Sequence, residues 1–92
     1  MASASEAFSK FSNWQNLKTL LKVTVIVGGK AEDVLSPVII MGLDPDAGLV
    51  GIAFPATRKL ATFDVEDATF SVEEKRLVAT RNESDWLVFE EE

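Results

Sequence analysis

The 92 residues carry nine basic and fifteen acidic side chains, a net charge of −6, and include no histidine, cysteine or tyrosine. That excludes disulfides, thiolate metal sites and any nucleophile activated by an imidazole. One domain, residues 1–92, is expected, and a chain this short buries only about 60–65% of its unfolded surface. With 47% hydrophobic residues, among them six Phe and two Trp, part of the apolar surface is expected in a subunit interface.

Taken from the start, Ser3-Ala-Ser-Glu6 and Ser12-Asn-Trp-Gln15 both fit the capping-box spacing, a hydroxyl with an acid or amide three residues on. Ala7, Phe11, Trp14, Leu17 and Leu21 recur at helical spacing and form one apolar stripe. Ser12 and Asn13 compete for backbone hydrogen bonds, so the pattern predicts a helix over 13–21 preceded by a helical stretch over 4–11. Residues 1–22 form the helical segment and 23–92 the β portion.

From Lys22 the period changes to two. "KVTVIV" alternates β-branched residues and stops at Gly28-Gly29. "VLSPVIIM" is a second strand region in which Pro37 has no N–H to give, placing it at an edge, an end or a bulge. "LVGIAF", "RKLATFDV", "ATFSV", "KRLVATR" and "DWLVFEE" follow, separated by polar turns. The fold class expected is α+β, mainly β: an N-terminal helix, then a strongly bent antiparallel sheet of 5–6 short strands forming a small barrel of the Sm or SH3 kind.

Motifs that suggest chemistry meet simpler readings. "DPDAG" begins like a calcium loop at Asp44 and Asp46, but the sixth place is Leu49 and the twelfth is Pro55. Asp44-Pro45 opening and Gly48 closing predict a hairpin turn. "GGK" at 28–30 lacks the upstream glycine and the following hydroxyl of a phosphate loop. The carboxylates of Asp64, Glu66, Asp67, Glu73, Glu74 and Glu90–Glu92 could pair for acid–base work or hold Mg²⁺ or Ca²⁺, or be solvated turns and a charged end. Trp14 with Asp85-Trp86 could stack a ligand, or be core and interface aromatics. No catalytic, cofactor-binding or metal-binding residue is assigned, and no enzyme activity is expected.

Charge is uneven: residues 1–22 carry a net +2, residues 23–63 a net −1 and residues 64–92 a net −7. The acidic last third repels phosphate, which argues against nucleic acid as a partner. "MASASEAFSKFS" lacks the apolar run of a signal peptide, and no apolar run approaches the ~20 residues of a membrane span. A cytoplasmic protein without membrane contact is expected. Asn82-Glu83-Ser84 matches a glycosylation triplet without the secretion that would use it.

The order of a helix, "VTVIVGGK", a bent second strand and "GLDPDAGLVGIAF" resembles the Sm/LSm small-barrel pattern over about residues 12–54, with Val23, Val25, Gly29, Gly42 and Asp44 at corresponding places. The resemblance implies a bent five-stranded sheet and ring-like assembly. It does not carry over RNA binding: Ala47-Gly48-Leu49 stands where the family has its RNA-binding Asn, and "ATRNES" replaces the second motif.

The function expected is a non-catalytic, self-associating β-barrel module that binds protein or a small apolar ligand. The alternative is an acidic regulator or inhibitor of a nucleic-acid-handling protein, presenting residues 64–92 to a basic surface; a carboxylate-based enzyme ranks third. In "DWLVFEE", Trp86 and Val88 alternate with Leu87 and Phe89, so both faces of the strand are apolar. These four residues are the expected interface of a homo-oligomer that pairs through sheet edges.

Overall fold

Ser3 begins the helix as its N-cap: its hydroxyl oxygen accepts the Glu6 N–H at 3.1 Å, the forward half of the first capping box, while the hydroxyl itself points to the Glu6 carboxylate at 3.4 Å. In the computed structural model, which describes residues 2–92, one helix and seven strands follow. They are α1 (Ala4–Leu17), β1 (Leu21–Val27), β2 (Lys30–Asp44), β3 (Leu49–Ala53), β4 (Leu60–Asp64), β5 (Thr69–Val72), β6 (Arg76–Thr80) and β7 (Trp86–Glu91). The helix is continuous through Ser12 and Asn13 and stops at Leu17, earlier than the stripe predicts. Lys18 takes a left-handed conformation, φ 52°, and its N–H returns to the Gln15 and Trp14 carbonyls. Leu17 is therefore 77% exposed and Leu21 opens β1. Ala7, Phe8, Phe11 and Trp14 form the buried face.

The expected strand segments all form, as seven strands rather than 5–6. Their hydrogen-bonded order is β4-β3-β2-β1-β7-β6-β5. Nothing pairs β4 with β5, so this antiparallel sheet has two ends and is not closed into a barrel. At 15 residues, β2 is long enough to serve two neighbours: its first part, to Val38, pairs with β1, and Ile39–Asp44 pairs with β3. The β1 ladder skips between Leu35 and Val38. Pro37 sits in that irregularity, where its missing N–H interrupts nothing. Gly28 and Gly29, at φ 62° and 77°, make the two-residue turn between β1 and β2, and Val27 pairs directly with Lys30.

The core lies between the curled sheet and α1, which packs on β2 and β5. Phe11 meets Phe89 edge-on with ring centroids 4.9 Å apart, and Phe63 meets the same ring at 6.1 Å. Polar contacts add direction to that packing: Trp14 Nε1 donates to Glu91 Oε2 at 3.1 Å, Lys10 Nζ stands 4.0 Å from the same carboxylate and 5.1 Å from the indole centroid, and Gln15 Nε2 donates to the Met41 carbonyl at 2.9 Å. The helix is thus tied to the sheet on two sides. No helix among the described residues is long and apolar enough to cross a membrane.

Candidate functional site

The residues singled out in the sequence are distributed by strand alternation. In β7, Leu87 pairs across to Val25 and Ala79, and Phe89 to Val23 and Leu77; at 1% and 0% exposure both belong to the core. Trp86 and Val88 point the other way and are half-buried. β7 lies between β1 and β6, so both of its backbone sides are paired and it offers no edge to another chain. The expectation of edge pairing through Trp86–Phe89 is corrected on that point: β7's apolar character on both faces reflects a central strand, not an edge.

Trp14 and Trp86 stand on opposite faces of the sheet, one at 2% exposure in the core and one on the outer face, so they form no joint stacking surface. Asp85 instead organises a loop. Its carboxylate accepts the Gly28 N–H at 3.1 Å and the Asn82 side-chain amide at 2.8 Å, while the Gly29 N–H donates to the Ser84 carbonyl at 2.8 Å. The Asn82 bond, then Gly28, hold the Asp85 carboxyl below the usual carboxylate range. Loop 81–85 and the Gly28-Gly29 turn are in this way clamped together.

Asp44–Gly48 is a turn. Asp44 Oδ1 accepts the Ala47 N–H at 3.2 Å, and Gly48 has φ 68°. A Cβ on Gly48 would lie 2.7 Å from the Glu66 Cα, because the Val65 N–H reaches the Gly48 carbonyl at 2.7 Å. The remaining acids are separated by the fold. Asp64 Oδ1 accepts the Glu66 N–H, Glu73 pairs with Arg76 at 2.6 Å and raises that guanidinium's pKa, and Glu91 turns inward to Trp14. Among the described residues no three carboxylates gather as a metal site.

What the strands do assemble is a surface. The registers place Val34, Thr24, Val88 and Val78 in one row across β2, β1, β7 and β6, with Ile26, Trp86 and Thr80 in the next. Lys22, Glu90 and Arg76 form a charged border beside them. Among the described residues no helix or strand packs over this face, and Val34 is 53% exposed. Chemically it offers an apolar strip with a charged border on one side. Trp86 and Val88 were legible in the sequence. Ile26, Val34 and Val78 were not recognised as their neighbours, although Thr24 and Ile26 alternate with the inward Val23 and Val25 in the visible pattern.

A groove of about 300 Å³ lies elsewhere, between the start of α1 and the turns at 45–48 and 65–68. Phe8, Val65 and Phe70 line it together with Asp46, Glu66 and Asp67, an apolar floor under a negative rim. No protein-family model matches the chain, and neither curated proteins nor solved structures give a match.

Proposed function

We propose that this chain is a non-catalytic, self-associating interaction module whose outer sheet face takes an apolar surface of a protein partner or a small apolar ligand. The observation that carries this reading is the uncovered strip around Trp86 and Val88 on β1, β7 and β6. Large aromatic and aliphatic side chains left on a sheet face favour burial against another molecule. The curled sheet with α1 across it is read here as a small open barrel of the Sm-like kind, acting in the cytoplasm, with assembly rather than RNA binding as the shared property. The net −7 of residues 64–92 supports a second reading, an acidic regulator of a basic, nucleic-acid-handling protein.

The test uses Trp14→Phe, which leaves Trp86 as the single tryptophan. Titration with an apolar fluorescent dye should give saturable binding with energy transfer from Trp86. Trp86→Lys/Val88→Lys should abolish that binding without loss of the folded state by circular dichroism. Light scattering should give a wild-type mass above the 10.1 kDa of one chain. Non-saturable dye uptake, equal in the lysine variant, overturns the outer face as the binding surface.

A further inference from the structure

The two ends of the sheet are not equivalent. On the free side of β5, the Ala2 N–H donates to the Phe70 carbonyl at 3.0 Å in an isolated bridge, and α1 packs nearby. On the free side of β4, no backbone group of the described residues pairs with Leu60–Asp64. An edge strand left bare is a template for another strand. We propose that β4 pairs antiparallel with β4 of a second copy, about a two-fold axis at Thr62. This rests on the self-association in the function proposed above and assigns it to a place.

Charge around β4 selects this partner and this orientation. The basic Arg58 and Lys59 precede the strand; Asp64, Glu66 and Asp67 end and follow it. Ion pairs among the described residues use none of the five. In a two-fold antiparallel pairing centred on Thr62, the basic flank of each copy lies beside the acidic flank of the other, twice. Parallel pairing would stack like charges. The same geometry sets Ala61 opposite the partner's Phe63, whose half-exposed ring gains cover, and shields part of Leu60, which is 71% exposed. The other bare strand side, the first part of β2, carries Glu32 and Asp33 at its middle and would bring acids against acids. A two-fold contact between identical edges closes on itself and gives a dimer rather than a fibre. A five-residue edge makes it a small, reversible interface.

The test reverses the basic flank in one variant and neutralises the acidic flank in the other, with residues suited to the local backbone, since Arg58 and Asp67 both have positive φ, at 60° and 63°, which asparagine tolerates. Sedimentation equilibrium of the wild type at high micromolar concentration should give twice the chain mass. Arg58→Asn/Lys59→Glu and Glu66→Lys/Asp67→Asn should each weaken self-pairing by roughly tenfold or more, and an equimolar mixture of the two should restore a dimer containing one of each. Hydrogen exchange at 60–64 should slow with concentration in the wild type and in the mixture only. A dimer indifferent to both variants but dissolved by Trp86→Lys overturns β4 pairing and leaves the outer face as the contact. A wild-type monomer, with a mixture that also stays monomeric, overturns both the pairing and the self-association it rests on.

Discussion

β7 and β4 are both short strands with apolar residues on their inner faces, yet they have opposite positions in the sheet. β7 is paired on both sides, by β1 and β6, and carries Trp86 and Val88 outward as well as Leu87 and Phe89 inward. β4 is paired only by β3, and its outward residues are Leu60, Thr62 and Asp64, all exposed. A strand apolar on both faces has cross-strand side chains beside it on each, as Ile26 and Thr80 flank Trp86; a strand with a largely polar outer face and charged flanks stands at an edge. The comparison teaches that apolar side chains on both faces mark a strand with a partner on each side, here even where nothing lies over one face, whereas edge position shows in the charges at the strand's ends.

The sharpest way to break that comparison is to empty the same kind of side chain in each strand. Phe89→Ala should cost about 3–5 kcal/mol by urea denaturation, since the ring is fully buried between Phe11 and Phe63. Phe63→Ala should cost distinctly less, about 1–3 kcal/mol, because half-burial exchanges less area. Equal losses would mean that β4 is as enclosed as β7. Next in size is the turn that leads toward β4 through its contact with Val65 and Glu66. Gly48→Ala should lose about 2–3 kcal/mol, combining left-handed strain with the 2.7 Å approach to Glu66. Asp46→Asn in the same turn should stay within about 0.5 kcal/mol and leave the melting temperature indifferent to calcium; a calcium-dependent rise lost in this variant would make the turn a cation site.

The smallest expected effect lies at the start of β7. The Asp85 carboxyl has its pKa lowered in the folded state by Asn82 and Gly28, so its ionised form favours folding. That contribution is complete above the unfolded carboxyl value of about 3.9 and is lost as pH falls through the lower, folded value. Asp85→Asn should therefore flatten the stability profile only below that range, as read from urea midpoints between mildly acidic and strongly acidic buffers. A gap between wild type and variant that persists unchanged into the strongly acidic buffers would remove Asp85 as the source.

Much of the secondary structure was legible because it is local. Period-two runs, the paired glycines at 28 and 29 and the Asp44–Gly48 turn all follow from neighbouring residues. The helix starts at Ala4 as expected but was misjudged in its middle and at its C-terminal end: Ser12 and Asn13 do not break α1, whose buried face is set by packing of Phe8, Phe11 and Trp14 on the sheet, and Lys18 ends it with no glycine to announce the turn. The strand order was not legible, since β1 joins β7 by pairing Ile26 with Trp86, 60 residues away. That one long-range pairing moves Trp86–Phe89 from a supposed edge to the middle of the sheet. The outer strip depends on the same pairing, so only its β7 members could be named beforehand.

The β1–β7 ladder also governs how the chain is made. α1 and β1 leave the ribosome early, but the strand that closes over Leu21 and Val23 is synthesised late; at about 5–20 residues per second the wait is ~3–12 s. During that interval β1 has only its β2 ladder, Phe11 lacks the ring it packs on, Phe89, and the Trp14 indole lacks the carboxylate that receives it, Glu91. The apolar inner face of α1 and β1 is therefore made well ahead of the strand that completes its cover, and stays open over that stretch of translation.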